Sequence, residues 1–267
     1  MKYNFDEVID RNNNRSAKYD ERGKKFGVKD VIPLWIADMD FKTAQPVIDA
    51  LKDRAEEGIW GYTSRPDSYY EALCGWKKRH HGWEIDKSML SFSLGVVPSL
   101  SSIVYIFTKP GEKVLIQTPV YSEFYDVTES WGRQVVESPL IEMDGKWTVD
   151  FEDFEKKAKE AKVFFLCSPH NPVGRVWTAE ELRRLGGVCQ RYGVFVVSDE
   201  IHCDLIRTGR THIPLAKMYP DSDRIITCMA PSKTFNTAGL QFSNIIIPNE
   251  EIRKCWLKWH NFDENPL

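Results

Sequence analysis

An amine, a carboxylate and an amide stand at the ends of three apolar runs. Lys233 lies in Ala230-Pro231-Ser232-Lys233-Thr234-Phe235-Asn236, after the run Ile225–Met229 and before Ala238-Gly239-Leu240. Asp199 follows the run from Val194 to Ser198, inside Ser198-Asp199-Glu200-Ile201-His202. Asn171 follows the run Val163–Cys167, inside Ser168-Pro169-His170-Asn171-Pro172-Val173-Gly174. A lysine at the mouth of a strand, among small and hydroxyl side chains, is placed to form an imine with a carbonyl carbon. A carboxylate at the neighbouring strand end can keep a ring nitrogen protonated, so that the ring accepts carbanion electrons. The amide can donate to a phenolic oxygen. These are the requirements of a pyridoxal phosphate site, with Lys233, Asp199 and Asn171 in the three roles.

Taken singly, each residue has an ordinary explanation. A strand-end Asp usually closes a turn, Asn-Pro usually makes one, and most lysines are solvated. The spacing separates the trio from coincidence. Asn171 and Asp199 are 28 positions apart and Asp199 and Lys233 are 34 apart, and each gap has room for a crossover and a return strand.

The elements that must position these residues follow from the hydrophobic pattern. Strand-like runs at Met89–Leu94, Val114–Gln117, Val163–Cys167, Val194–Ser198, Ile225–Met229 and Ser243–Ile247 alternate with helical patterns at Tyr121–Trp131, Phe151–Lys159 and Leu182–Tyr192. A further helix is expected from Ser99 to Thr108, opened by Gly95-Val96-Val97-Pro98. Thr178-Ala179-Glu180-Glu181 reads as a capping box before the Leu182 helix, and Gly193 closes that helix. Such alternation predicts an α/β fold: a mostly parallel sheet flanked by helices, with ligands at the carboxyl ends of the strands.

Composition fits that class. The 267 residues are 42% hydrophobic and 12% aromatic, enough for a substantial core. A net charge of −3 gives no reason to expect nucleic acid as a partner. The six cysteines (Cys74, Cys167, Cys189, Cys203, Cys228 and Cys255) have no CxxC spacing and predict free thiols in a reducing cytoplasm. The opening MKYNFDEVIDRNNNR has no signal-peptide core, and no apolar run approaches the ~18 residues of a membrane span. No metal is expected. Asp199-Glu200-Ile201-His202-Cys203-Asp204 concentrates ligand types, yet adjacent strand residues face opposite ways and no distant His pair completes the set. Lys77-Lys78-Arg79-His80-His81 reads as a solvated basic helix end.

The chain resembles the class I/II aminotransferase superfamily of fold type I pyridoxal phosphate enzymes, and within it the cystathionine beta-lyase type of carbon–sulfur lyase. The resemblance is carried by WIADMDF at 35 to 41, GYTSRPDSYYEA at 61 to 72, GVVPSL at 95 to 100, TPVYSEF at 118 to 124, SPHNPVG at 168 to 174, SDEIHCDL at 198 to 205 and APSKTFNTAGLQFSN at 230 to 244. His202, where transaminases more often carry a tyrosine, and the Trp35-to-Phe41 string point to the lyases.

The resemblance implies a seven-stranded-type sheet and further roles. Val96 and Val97 would hold the cofactor phosphate through their backbone, which suits the free N–H groups of a helix start, with Ser232 assisting. Tyr121 would stack on the pyridine ring, and His202 would join the cofactor contacts. Tyr62 would reach the phosphate of a neighbouring subunit, making a homodimer with shared sites. Residues 1–45 would form an N-terminal arm and small-lobe segment, and 46–267 the large cofactor-binding domain. Family members continue past the position of Leu267 into a lobe carrying the arginine that grips the substrate α-carboxylate, so that lobe is expected to be missing here. The implied reaction is β-elimination from cystathionine or a related cysteine thioether, with Lys233 taking the Cα proton and thiol, pyruvate and ammonia as products. Transamination would use the same residues, and a cofactor-binding but weakly active fragment is the alternative outside catalysis.

Overall fold

The computed structural model describes residues 3–260. The final segment 261–267, where the expectation of a missing lobe begins, lies outside them. Among the described residues nine strands form: β1 (Leu90–Ser93), β2 (Lys113–Ile116), β3 (Gln134–Glu137), β4 (Leu140–Met143), β5 (Lys146–Val149), β6 (Ala161–Cys167), β7 (Phe195–Asp199), β8 (Ile225–Met229) and β9 (Ser243–Ile246). Seven make one sheet in the order β1-β9-β8-β7-β6-β2-β3, and β4 with β5 makes a separate hairpin. Within the seven, β9 pairs antiparallel with both neighbours and every other pairing is parallel. The α/β expectation with a seven-stranded, mostly parallel sheet therefore holds. The short β3, β4 and β5 carry only weak apolar signals and were not foreseen.

Both sheet faces are covered, as parallel strands require. Along β6 the side chains alternate between two apolar clusters. Phe164 and Leu166 join the cluster built with Phe154, Leu182 and Leu185 from helices Phe151–Ala158 and Ala179–Tyr192. Val163, Phe165 and Cys167 join the opposite cluster, with Leu100, Ile103 and Phe124 from helices Val96–Phe107 and Glu123–Glu129. Strands β7 and β8 alternate in the same way. The capping box is present: Glu181 N–H donates to Thr178 Oγ1 at 3.2 Å, Thr178 N–H donates to Glu181 Oε2 at 2.8 Å, and Gly193 ends the helix at φ +67°. Helix Val96–Phe107 begins three residues earlier than expected. Pro98 is tolerated there because the first turn has no intrahelical use for its missing N–H.

The chain forms two compact units: residues up to 60 with 231–240, and 61–230 with 241 onward. The first thus reaches beyond residue 45 and takes in a segment that the sequence reading gave to the large domain. Hydrogen bonds explain this. Asn236 Oδ1 accepts from Met39 N–H at 3.0 Å, and its Nδ2 donates to the carbonyls of Met39 and Phe41 at 3.0 and 2.8 Å. Beside this pairing, Arg11 and Lys18 bind both Asp38 and Asp40 at 2.7–3.2 Å. The second unit holds the sheet and its two clusters. Among the described residues no helix is long and apolar enough to cross a membrane.

Core and cap should separate in magnitude. Phe154→Ala, which empties a fully buried ring site, should cost about 3–5 kcal/mol, and Thr178→Ala about 1 kcal/mol. Urea unfolding of both variants checks this, and equal losses would refute the assignment of the core.

Candidate functional site

The carboxyl ends of β6, β7 and β8 form the site floor. Asp199 ends β7 and is in register with Cys167 on one side and Cys228 on the other. Its carbonyl accepts Ser168 N–H at 2.9 Å, and its Oδ1 accepts Ile201 N–H at 3.1 Å. The side chain is buried, with 4% of its surface accessible. Asn171 is four residues past the end of β6 and folds back to it, its N–H donating to Cys167 Sγ at 3.3 Å. Tyr121 follows β2 and stands half-buried. Burial pushes its phenol well above the usual range, and the charges of Glu123 and Asp199 push the same way. Its hydroxyl therefore stays protonated near neutral pH.

His202 and Asn171 line one cleft of about 590 Å³. Val96 and Val97 open the helix after β1, with Gly95 as the preceding cap residue. Ser99 Oγ donates to Gly95 O at 2.8 Å, so that carbonyl is turned into the helix. Tyr62 is exposed, with 82% of its surface accessible. Lys233 and Ser232 belong to the first unit, in the single turn Pro231–Thr234. There Lys233 Nζ donates to Ala37 O at 3.1 Å. The structure thus brings Asp199, Asn171, Tyr121 and His202 to the strand ends of the second unit and sets Lys233 against the WIADMDF segment of the first.

Two sequence expectations need correction. The helix end at His80-His81 is not a solvated terminus: Lys77 and His81 are buried with Leu73 on one face of helix Asp67–His81. The spacing of four residues places all three on the stripe that packs inward. His81 Nε2 meets Asp204 Oδ1 at 2.9 Å, and Trp76 Nε1 donates to the same oxygen at 3.1 Å. Residues 201–204 form a turn rather than strand, so His202, Cys203 and Asp204 do not alternate. His81, Cys203 and Asp204 consequently bring potential ligand atoms within 4.8 Å of one another. Lys77 Nζ lies 4.0 Å from Cys203 Sγ, and its charge opposes a second cation there.

Glu200, next to Asp199, is a buried carboxylate for which the sequence reading named no partner. It has no accessible surface. Its Oε2 meets His212 Nε2 at 2.9 Å and lies 3.9 Å from Lys77 Nζ, while Oε1 accepts from Ser198 Oγ and from Leu215 N–H. Desolvation alone would raise its pKa, but His212 and Lys77 outweigh it and hold the carboxyl below its ordinary value. Its N–H donates to Cys228 O at 2.8 Å, tying the end of β7 to β8.

Comparison with known proteins agrees with this frame. The family described as aminotransferase class I and II matches residues 29–262. The chain belongs to the class I and II aminotransferase family. It is 48% identical over 249 residues to cystathionine beta-lyase PatB of Bacillus subtilis, an alignment covering 92% of this chain and 64% of that protein. The chain thus spans about two thirds of the length of the curated relatives it matches. Among solved structures it is similar to a PLP-bound C–S lyase from Staphylococcus hominis, at TM-score 0.92 and 41% identity, covering 100% of this chain and 68% of that one. Cystalysin from Treponema denticola, which contains pyridoxal 5'-phosphate, superposes at TM-score 0.94 with 39% identity, covering 100% and 69%. These likenesses establish the fold of this aminotransferase-family chain as that of the pyridoxal phosphate enzymes.

Burial also pushes His170, beside Asn171, down to about 4. The unfolded chain then binds a proton more readily than the folded one between pH 6.5 and 4, so stability is full above 6.5 and falls as pH drops. The loss should reach about 3 kcal/mol near pH 4. His170→Asn should remove that component from the pH dependence of urea unfolding, and an unchanged slope would show that His170 is not held neutral.

Proposed function

We propose that this chain is the cofactor-binding part of a pyridoxal-phosphate-dependent carbon–sulfur β-lyase acting on cystathionine or a related cysteine thioether. The observation that carries the reading is the buried Asp199 at the end of β7, between two parallel neighbours and within electrostatic reach of Tyr121. The donor set fits the group: an anionic residue for a ring nitrogen, an aromatic face, free helix N–H groups for a phosphate, and a primary amine. The lyase names of PatB and the Staphylococcus hominis structure support the choice of reaction.

Pyridoxal phosphate, when bound, supplies an aldehyde carbon that condenses with amines and a ring that takes up carbanion electrons. Asp199 would keep the ring nitrogen protonated. Asn171 would donate to the phenolic oxygen, Tyr121 would stack on the ring, and His202 would join the cofactor contacts. The N–H groups of Val96 and Val97 would bind the phosphate at the helix start, where the dipole favours an anion, with the hydroxyl of Ser232 assisting. Lys233, four positions after Met229 at the end of β8, would hold the group through its amine and would be the base that takes the proton from the substrate Cα. With the ring able to accept the electrons left at Cα, the proposed reaction would release the Cβ thiolate and give pyruvate and ammonia after addition of water.

The partner chemistry follows. The substrate is a small amino acid, and the exposed Tyr62 serves the site of a second copy in a homodimer. Six free cysteines, four of them buried, suit a reducing cytoplasm.

Lys233 and Asp199 give separable tests. The wild-type chain with pyridoxal phosphate should gain a visible absorption band that borohydride fixes to Lys233 in peptide mapping, and Lys233→Ala should lose it. An adduct on another lysine would refute the assignment. Asp199→Asn should still be trapped by borohydride, while exchange of the Cα proton of a bound amino acid into deuterated water slows by at least a hundredfold, about 3 kcal/mol. Exchange at the wild-type rate would remove Asp199 from the chemistry.

A further inference from the structure

The cleft beside Asn171 and His202 carries charge of one sign. Its ionisable lining residues are Lys146, His170, Arg175, His202, Arg207 and Arg210, with no Asp or Glu among them. The chain as a whole has 36 Lys and Arg against 39 Asp and Glu, so an average surface of this protein would show both signs. Arg175 is already engaged, bonding Glu181 and the carbonyl of Trp147. Among the described residues Lys146, Arg207 and Arg210 make no ion pair. Three cations therefore face the cleft without a carboxylate partner, and a fourth lines it.

Local structure gathers two of them. Arg207-Thr208-Gly209-Arg210 is a tight turn in which Arg210 N–H donates to Arg207 O at 3.1 Å. Gly209 supplies φ +82°, the value that the third position of a type II turn requires and that other residues resist. Such a turn holds its first and fourth Cα atoms within about 7 Å, so both guanidinium groups start from one edge. Lys146 comes from the start of β5. The cleft floor comes from the strand-end loops bearing Asn171 and His202.

We infer that this cleft binds the anionic far end of the substrate: the enzyme takes thioethers whose sulfur-side group ends in a carboxylate and discriminates against neutral ones. The inference rests on the proposed function, which puts Asn171 and His202 against the cofactor and so makes the cleft the space beyond the substrate Cβ. Guanidinium groups suit this role because their planar donors pair two at a time with carboxylate oxygens. A neutral end group gains neither those bonds nor the field of three like charges.

Two probes of equal shape test it, each with a methylene in place of the thioether sulfur so that nothing can leave from Cβ: L-2-aminoheptanedioic acid and its 7-amide. Their dissociation constants are measured by calorimetry on the cofactor-loaded full chain and on the double variant Arg207→Gln, Arg210→Gln. The wild-type chain should bind the acid at least about tenfold tighter than the amide, the scale of one or two charge-assisted hydrogen bonds. In the double variant the ratio should fall to within about twofold, and in the wild type it should shrink as salt is raised. Both positions are exposed, so the variant should melt like the wild type. Lys146→Gln, outside the turn, gives a second and smaller reduction. An acid-to-amide ratio near one in the wild type, or one that the double variant leaves intact, overturns the inference. Cofactor uptake, read from the visible absorption of the same samples, fails or succeeds independently. A chain that takes up no cofactor overturns the underlying reading, while the ratio still decides what the cleft binds.

Discussion

A carboxylate with no solvent contact sets the geometry at the end of β7. Glu200 stays ionised only because His212, Lys77, Ser198 and the Leu215 N–H surround it. Removing one partner from such a buried pair typically costs about 3–5 kcal/mol, since the remaining charge is stranded. That constraint joins three parts of the second unit: helix Asp67–His81 through Lys77, the turn region after β7 through Glu200 itself, and the segment around Leu215. Asp199 is the adjacent residue. Its backbone is locked on one side by Ser168 N–H, and the next peptide is locked on the other by Cys228 O. The proposed chemistry needs a carboxylate held at a fixed place, and the neighbouring buried charge fixes the chain on which it sits.

The sheet supplies the rest of the precision. Parallel strands must be buried on both faces, and here each of β6, β7 and β8 divides its side chains between two apolar clusters. Register then decides which residues share a level: Cys167, Asp199 and Cys228 line up across three strands. Sites at strand ends are more exact than sites on free loops, because the loop residues are tethered within a few positions of a packed strand. Asn171 shows this, its N–H bonded back to the last residue of β6.

This arrangement explains what was legible in the sequence. The apolar runs of β6, β7 and β8 are continuous, because both faces are buried, and each ends in polar residues, so their ends and the candidate residues there can be read directly. The capping box and Gly193 are local signals and appear where expected. What could not be read depends on contacts between distant segments. Lys77 and His81 look like a basic helix terminus, yet their spacing from Leu73 places them on the inward stripe, and only the presence of Glu200 and Asp204 opposite makes burial possible. The short β3, β4 and β5 have too few apolar residues to rise above a loop pattern. The pairing of Asn236 with Met39 and Phe41 spans about two hundred positions and leaves no periodic trace.

That last pairing governs the first unit, which differs in kind from the second. Among its described residues no large apolar side chain is fully buried, and Phe5, Val8, Ile32 and Leu34 are exposed. Its order comes instead from polar contacts: Asn236, at φ +54°, satisfies three backbone groups at once, and two cations meet two carboxylates around Asp38 and Asp40. Lys18 is buried in that cluster with 4% of its surface accessible, which is tolerable because the charges balance. Hydrogen bonds from Arg11 and Lys18 hold Asp38 below the usual carboxylate range despite its partial burial. Such a unit is directional where a hydrophobic core is not. The same segment 35–41 that the ions anchor presents Ala37 O to Lys233, so the ammonium is oriented by a backbone carbonyl whose own position rests on four charges and one amide.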